Sequence, residues 1–364
     1  MSTYDAVAGL PLEVEGYDLA GLRQDVSSGF TRQTTVVSIH GADEIGVGED
    51  VTYDAGEQEL LRRAGPVHDL AGTFTLDTFS DVLGSLDLFP DSAPSVDGWR
   101  HYRRWAFESA ALDLALRQAG TTLAAALGID PRPVSFVVSL RLGEPPAIEL
   151  VLDLLEGYPG TRFKLDPTSD WDEALVARLN GLGAVATVDL KGAYRGTVVD
   201  QPADAALYRL VAEGFPAAWI EDPDLSSPDA DAVLEPHRAR ITWDAIIHSV
   251  ADVEALPFSP RGLNVKPSRF GSLRALLDTY DYCRERSIVV YGGGQFELGP
   301  GRGQIQYLAS LFSADGPNDV APGGFNDPVP VQGLPASPLS PRLSETGFRW
   351  ETDGLPATPR GHSV

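Results

Sequence analysis

From about residue 133 onwards, the sequence alternates short apolar runs with segments of helical spacing. Continuous apolar runs are typical of parallel strands that are covered on both faces. Seven or eight strand–helix units in a row favour a closed α/β barrel of the TIM type; an open doubly wound sheet is the alternative. The runs are residues 135–142, 161–166, 184–190, 217–222, 240–244, 262–266 and 287–291, with a weak eighth around 319–321.

The rest of the chain is long enough for a second domain. The chain has 364 residues, whereas a simple barrel takes roughly 250. The first third mixes strand and helix patterns, with a clear helix over 98–120 in which apolar residues recur at helical spacing. We expect an α+β capping domain over 1–130, completed by the Pro-, Gly- and Ser-rich tail at about 325–364, and a catalytic barrel over 131–324.

Charge and cysteine content limit the partners of this chain. It carries 52 acidic against 28 basic residues, a net charge of −24, which repels nucleic acid and anionic membranes. Cys283 is the single cysteine, so an intramolecular disulfide and a thiolate zinc cluster are excluded. The sequence contains no uninterrupted apolar run of about 18 residues. We expect a cytoplasmic protein with no nucleic-acid or membrane partner.

The basic residues are almost all arginine. The chain contains three lysines, Lys164, Lys191 and Lys266. A surface cation can be either residue, but a proton acceptor cannot be arginine because its pKa is too high. All three lysines lie at or just beyond the ends of predicted strands, so they are candidates for catalysis.

Three carboxylates also lie at the ends of predicted strands. Asp189, Glu221 and Asp244 end the third, fourth and fifth predicted strands, and such ends meet at one mouth of a barrel. Converging hard oxygen ligands suit Mg²⁺, with Mn²⁺ possible, and a cation would hold the carboxylates ionised. Lysines beside a cation should have lowered pKa values and become usable bases. This combination predicts removal of a proton next to a substrate carboxylate.

An ordered set of motifs between about residues 30 and 325 resembles the enolase superfamily, and most closely its muconate-lactonizing subgroup. The resemblance implies a modified (β/α)7-8β barrel with a capping domain that sets specificity, a small-molecule carboxylate substrate and a homo-oligomer. The matching residues are Trp105, Glu108 and Asp113 in the helix before the barrel, Lys164-Leu-Asp166, Asp189, Trp219-Ile-Glu221-Asp-Pro, Asp244, Asn264-Val-Lys266-Pro-Ser-Arg-Phe-Gly271 and Gly294-Gln-Phe-Glu297.

The resemblance also implies roles for individual residues. Asp189, Glu221 and Asp244 would bind the metal. Lys266 would be the base on one face of the substrate, with Lys164 assisting on the other face. The reaction would be an elimination or dehydration, or an epimerisation.

The chain departs from the subgroup at one position. The subgroup has Lys-x-Lys at the end of strand two, and the second lysine is its base, whereas this chain has Asp166 there. Lys191 lies two residues past Asp189 on the neighbouring strand. We therefore hypothesise that Lys191 supplies the missing ammonium group and pairs with Asp166. A solvent-exposed loop cation is the alternative for Lys191.

Other functions remain open at this level. A lysine that forms a Schiff base on a barrel would make the chain a lyase of another kind, although the three carboxylates would then have no role. A catalytically inactive relative that kept the metal site is motivated by Asp166.

Several weaker signals have two interpretations each. Ser139, Arg269 and Glu297 are candidates for substrate binding, but Ser139 can equally serve packing and Arg269 an ion pair. We predict that His248 lies on a loop or helix face, that residues 299–303 form a tight loop rather than a phosphate site, and that capping-domain loops around 16–30 set specificity.

Overall fold

The computed structural model describes residues 2–90, 93–194, 199–329 and 332–351. Its N-terminal part is an α+β unit in which a three-stranded antiparallel sheet (16–25, 31–41 and 44–50) packs on a long helix (99–118). The elements are α1 (Asp5–Ala8), β1 (Pro11–Val14), β2 (Gly16–Asp25), β3 (Thr31–Gly41), β4 (Glu44–Asp50), α2 (Ala55–Ala64), β5 (Gly72–Thr75), α3 (Leu76–Ser85), α4 (Trp99–Gln118) and α5 (Leu123–Leu127).

Helix α4 approaches the sheet so closely that two positions of β4 have no room for a side chain. A Cβ atom on Gly46 would lie 2.1 Å from the carbonyl oxygen of Ala110, and one on Gly48 would lie 2.0 Å from that of Ala106. Alanines on the helix and glycines on the strand therefore bring the two backbones into contact. This packing buries α4 on nearly all sides and fixes it above the second part of the chain.

The second part consists of parallel strands alternating with helices. Two short 3-10 turns, Glu235–Arg240 and Gly323–Asn326, accompany them. The elements are β6 (Val137–Leu140), α6 (Glu149–Gly157), β7 (Arg162–Leu165), α7 (Glu173–Gly181), β8 (Val185–Asp189), α8 (Ala205–Gly214), β9 (Trp219–Glu221), α9 (Pro228–Leu234), β10 (Ile241–Thr242), α10 (Val250–Glu254), β11 (Gly262–Val265), α11 (Pro267–Phe270), α12 (Leu273–Glu285), β12 (Val289–Gly292) and α13 (Pro300–Phe312).

Hydrogen bonds close these strands into a ring. Strands β6 to β10 form one parallel sheet in chain order, and β11 pairs with β12. The amide of Asn264 joins the two sheets by donating to the carbonyl of Trp243 at 3.0 Å. On the other side, parallel bridges connect Gly293 to Asp319 and Asn318 to Phe136. The predicted capped, TIM-like barrel is confirmed, with residues 318–319 in the place of an eighth strand.

Two local predictions were wrong. The region 16–30 is not mainly loop: β2 occupies Gly16–Asp25, and only the residues between β2 and β3 form a turn. The region 299–303 is a loop only at Gly299, because α13 begins at Pro300. Proline is favoured in the first turn of a helix, where its missing N–H has no partner to lose.

Residues 332–351 return to the N-terminal unit. Gly347 forms a parallel bridge with Thr122, and the buried Phe348 packs on Tyr307 with ring centroids 5.6 Å apart. Asp113 of α4 accepts the amide of Phe348 at 2.8 Å. The remainder of the predicted tail, 352–364, lies outside the described residues. Within the described ranges, no helix is both long and apolar enough to cross a bilayer.

Candidate active site

Three neighbouring strands bring acidic side chains to the same end of the barrel. Asp189 is the last residue of β8 and pairs in register with Glu221, the last residue of β9. Glu221 in turn pairs with Thr242 of β10, and Asp244 follows two residues later. All three carboxylates are fully buried. Parallel register therefore aligns the acids as the sequence predicts.

Lys164 lies between two of these acids. It projects from β7, and its Nζ is 2.9 Å from Asp189 and in direct contact with Glu221. Burial disfavours the charged amine, but the two carboxylates outweigh it and raise the pKa of Lys164 well above its ordinary value. Ser139 of β6 is the register partner of Lys164, which places this candidate substrate-binding residue at the same end of the barrel.

Glu221 has further partners from the strands beyond it. The side-chain amide of Asn264 donates to its carboxylate at 3.2 Å, and the hydroxyl of Tyr291 donates at 2.6 Å. Even so, burial and the neighbouring acids raise the pKa of Glu221 to about 8. A buried carboxylate in this condition is stabilised by any added positive charge.

Asp244 is surrounded by cations. Arg269 donates to its carboxylate from two nitrogens, at 2.7 and 3.3 Å, and the Nζ of Lys266 lies 2.8 Å away. Tyr194 donates its hydroxyl at 3.0 Å. Despite burial, Arg269 and Lys266 hold the pKa of Asp244 well below its usual range. Of the two interpretations of Arg269, the structure displays the ion pair. Asp244 in turn outweighs the burial of Lys266 and raises the pKa of that amine.

Asp222, the residue after Glu221, also points into this region. Its carboxylate accepts the backbone N–H groups of Asp244 at 2.8 Å and Ala245 at 3.0 Å. Its backbone has a φ of 47°, in the left-handed region that non-glycine residues seldom adopt. Burial, Asp244 and Asp189 together raise its pKa to about 7.

Lys191 points into the site. Its Nζ lies 2.5 Å from Asp189 and 3.5 Å from Asp166, and its side chain is only 15% exposed. Burial opposes its charge, but Asp166 and Asp189 raise its pKa above the ordinary value. The alternative of a solvent-exposed loop cation is therefore wrong. The catalytic role of Lys191 stays a prediction, as does the lowering of lysine pKa values by a cation.

The acidic residues fit a hard cation. One oxygen each from Asp189, Glu221 and Asp222 lies within 4.8 Å of the others, and all of these ligands are carboxylate oxygens, as Mg²⁺ and Mn²⁺ prefer. Asp244 lies outside this group of three, and its carboxylate is paired with Arg269 and Lys266. The ligand role of Asp244 stays a prediction.

The capping domain reaches the seventh strand end through Arg32 and Tyr102. The buried Arg32 donates to the carbonyl of Gln295 at 2.9 Å, and the hydroxyl of Tyr102 accepts from the Gln295 amide at 3.2 Å. Glu297 accepts the Gln295 backbone N–H at 2.7 Å and is buried. Phe30, in the turn after β2, packs edge-on against Phe296. The capping domain therefore covers the mouth.

Glu49 occupies the glycine-rich start of α13. Its carboxylate accepts backbone N–H groups from Leu298 at 2.6 Å and from Gly299 and Gly301 at 2.9 Å each. Burial and the nearby Glu297 raise the pKa of Glu49. The prediction against a phosphate cradle in this segment agrees with this geometry, since an internal carboxylate takes the N–H donors.

His248 lies in the loop before α10, which the sequence interpretation allows. Its ring stacks on that of His101 from α4, with centroids 5.4 Å apart and an interplanar angle of 29°. Burial lowers the pKa of both rings. This pair is a contact between the capping domain and the strand-five loop.

Sequence reasoning did not assign roles to several residues of the site. Asn264 lies two residues before Lys266 on the same strand, so alternation could have placed it towards the mouth. Asp319 begins the weak eighth run, and its carboxylate is 3.9 Å from the Nζ of Lys164. No sequence signal that we recognise marks Tyr194 or Tyr291.

Solved structures with a similar fold include members of the enolase superfamily. A member of the enolase superfamily from Listeria innocua matches with a TM-score of 0.65 at 18% identity, covering 93% of each chain. Muconate cycloisomerase from Pseudomonas fluorescens gives 0.61 at 19%, covering 85% of this chain and 87% of that one. A dipeptide epimerase from Methylococcus capsulatus, complexed with Mg, gives 0.63 at 20%, covering 86% and 94%. The predicted resemblance to the enolase superfamily is confirmed.

Sequence comparison adds curated relatives and a family. The o-succinylbenzoate synthase of Bacillus subtilis is 30% identical over 240 residues, 64% of this chain and 62% of that protein. An N-succinylamino acid racemase from Amycolatopsis is 30% identical over 227 residues, 60% and 58%. The chain thus spans about three fifths of the length of these relatives. Residues 5–126 and 130–327 match the N- and C-terminal domains of a domain of unknown function, DUF8230, and the chain belongs to that family.

Proposed function

We propose that the chain is a Mg²⁺-dependent enzyme that removes the proton next to the carboxylate of a small substrate through an enediolate intermediate. Elimination or dehydration and epimerisation are both compatible with this step. The single observation that carries the proposal is the convergence of buried carboxylates at one mouth of the barrel. Asp189 and Glu221 are register partners, an oxygen of Asp222 lies within 4.8 Å of theirs, and Asp244 holds the amine of Lys266 at 2.8 Å.

Asp189, Glu221 and Asp244 are the ligands we propose for the cation, with the Asn264 amide and the Tyr291 hydroxyl orienting Glu221. When bound, Mg²⁺ would supply the positive charge that stabilises the enediolate. A cation would also compete with the lysines for the carboxylates, and so lower the pKa values of amines that the acids otherwise raise.

Lys266 is the proposed base. It follows β11, whereas Lys164 lies on β7, four strands earlier in a ring of about eight, so the two amines face a substrate from opposite sides of the mouth. Lys266 alone suffices for elimination, which needs one base. Epimerisation needs a proton donor on the second face, and we propose Lys164 or Lys191 for that role.

The curated relatives favour a carboxylate substrate. Two of them are an o-succinylbenzoate synthase and an N-succinylamino acid racemase. A synthase and a racemase at similar identity do not decide between the two reaction types. We propose a small carboxylate with an acidic α-hydrogen.

Deuterium exchange tests the proposal directly. The chain with Mg²⁺ in deuterated water should wash deuterium into the α-position of members of a carboxylate library, and EDTA should abolish the exchange. Lys266→Ala and Lys266→Arg should both lose exchange by about 10³-fold, in the middle of the range expected of a general base. The arginine variant keeps the positive charge beside Asp244 but cannot accept a proton. Exchange at the parent rate in either variant would show that Lys266 is not the base.

Borohydride trapping and the same deuterium assay separate the two alternative functions, a Schiff-base lyase and a catalytically inactive relative. A Schiff-base lyase would be trapped on Lys164 or Lys266 by borohydride in the presence of substrate and would tolerate EDTA. A catalytically inactive relative would bind Mg²⁺ but exchange deuterium with no member of the library.

A further inference from the structure

Strand β10 is too short to align the end of the fifth strand by itself. It has two residues, Ile241 and Thr242, and its ladder with β9 ends at the pair of Thr242 and Glu221. Asp244 lies two residues beyond the last pair. Because Asp244 is fully buried and carries a proposed metal-binding carboxylate, another contact must fix its backbone.

Asp222 supplies that contact. Its own backbone N–H donates to the carbonyl of Thr242 at 3.0 Å. Its two carboxylate oxygens then accept the N–H groups of Asp244 and Ala245, one each, at 2.8 and 3.0 Å. Asp222 therefore extends the hydrogen bonding beyond the β9–β10 ladder, through its backbone to Thr242 and through its side chain to Asp244 and Ala245. The backbone carbonyl of Asp222 also accepts the N–H of Gly192 at 2.8 Å, so the loop after the third strand is attached to the same residue.

The backbone of Asp222 is strained in order to make these contacts. A φ of 47° is uncommon for a residue with a Cβ, and such residues persist where their surroundings hold them. The segment that follows Asp222 also packs closely against the loop after the third strand, because a Cβ on Gly192 would lie 2.3 Å from the amide nitrogen of Asp224. Burying a carboxylate costs free energy unless it is hydrogen-bonded, and the two N–H groups of the fifth strand end supply hydrogen bonds here.

We propose that Asp222 is a positioning residue that fixes the carboxylate of Asp244 for the cation. This inference rests on the proposed function. Although an Asp222 oxygen is close enough to Asp189 and Glu221 to bind a cation itself, the pair of bonds to the fifth strand end favours action through Asp244. Mutation of a residue that orients a metal ligand through hydrogen bonds typically weakens metal binding 10- to 100-fold.

Mn²⁺ affinity, measured by titration calorimetry and by electron paramagnetic resonance, tests this without any substrate. Asp222→Asn keeps the shape but can accept only one of the two N–H groups, so it should weaken Mn²⁺ binding by about 10-fold or more. Asp113→Asn is the matched control. Asp113 is equally buried and also accepts two backbone N–H groups, from Val47 and Phe348, but it lies away from the mouth and should leave Mn²⁺ affinity unchanged.

A double-mutant cycle distinguishes positioning from direct ligation. If Asp222 acts through Asp244, the double variant D222N/D244N should bind Mn²⁺ no more weakly than D244N alone. Losses that add would make Asp222 a ligand in its own right and overturn the proposal. Parent-like affinity in D222N would overturn it too, while leaving the proposed function intact.

Two controls keep the result clear. Circular dichroism should show that D222N is folded; if it is not, Asp222→Ser, which keeps one acceptor oxygen, takes its place in the cycle with the same expectation. A parent chain that binds no Mn²⁺ would contradict the proposed function itself, and the role of Asp222 with it.

Discussion

The amine of Lys191 lies 3.5 Å from the carboxylate of Asp166 and 2.5 Å from that of Asp189. The motif Lys164-x-Asp166 on one strand and Asp189-x-Lys191 on the next are thus reciprocal in space as well as in sequence. Lys191 reaches both acids because its backbone takes a φ of 54°, in the left-handed region. Asp166 stands where the resembling subgroup has a lysine, and the ammonium group of Lys191, from the loop after the neighbouring strand, lies beside it. That Lys191 replaces the missing lysine in catalysis stays a prediction.

Removing the amine of Lys191 should therefore leave the carboxylates of Asp166 and Asp189 to repel each other. Lys191→Met leaves Asp166 and Asp189 without this partner and should lower the free energy of unfolding by about 3 kcal/mol, as for other broken buried ion pairs. Adding Asp166→Asn should recover part of the loss. The measurement is urea unfolding in EDTA, so that no cation substitutes for the amine. Equal losses with and without Asp166→Asn would mean that Lys191 and Asp166 do not interact.

Glu49 should be a strong contact between the two domains. Glu49→Ala leaves three N–H groups at the start of α13 without this acceptor, two of them buried. We expect a loss of about 2–4 kcal/mol in the free energy of unfolding. Thermal and urea unfolding would measure it.

A second substitution supplies the control for Glu49. A Cβ on Gly301 would lie 2.9 Å from the Glu49 carboxylate, so Gly301→Ala should be harmful in the parent. It should be less harmful once Glu49 is alanine, because the carboxylate that it crowds is gone. Additive losses would show that the crowding lies elsewhere, for example at the Glu297 side chain, which is equally close.

The stacked histidines predict a pH dependence. Because burial lowers the folded-state pKa values of His101 and His248, the unfolded chain takes up protons first as the pH falls. Stability should be fully present above the unfolded pKa of about 6.5 and be lost as the pH drops below it. Asp97 and Asp252 oppose this loss, whereas Arg104, Arg269 and the other ring favour it.

The histidine prediction is measured as a difference between variants, which cancels the titration of the acids. Parent and H101N/H248N should be compared by urea unfolding at pH 7.5 and 5.5. The parent should lose more stability than the double variant between these pH values, because each ring would have to gain a proton where burial disfavours the charged form. The same loss in both proteins would show that the rings do not titrate between these pH values.

The sequence predicts what depends on strand position. The barrel follows from repeated apolar runs, and Lys164, Asp189 and Glu221 follow from their place at strand ends, since parallel register carries such residues to one mouth. The pairing of Lys191 with Asp166 could also be inferred, because Lys164-x-Asp166 and Asp189-x-Lys191 are reciprocal motifs at the ends of neighbouring strands. These inferences need only the periodicity of a strand and the direction of the chain.

Contacts that depend on side-chain reach could not be predicted. Glu49 meets the N–H of Leu298 across 249 residues of sequence, and no local pattern marks that meeting. The hydrogen bonds from Asp244 and Ala245 to the Asp222 carboxylate accompany a left-handed backbone at Asp222. Sequence reasoning does not expect that conformation at a non-glycine residue. The grip of Arg269 on Asp244 depends on the turn formed by α11, so the alternatives for Arg269 stayed open until its geometry was known.

The acidic composition should make the fold sensitive to ionic strength. A net charge of −24 produces self-repulsion in the compact state, and the screening length falls from about 30 Å at 0.01 M salt to about 8 Å at 0.15 M. Melting temperature should therefore rise steeply over this range in metal-free buffer and then flatten. NaCl and KCl should act alike, because screening depends on ionic strength. A rise that begins only above about 1 M, or that differs between the two salts, would indicate specific ion effects instead of screened repulsion.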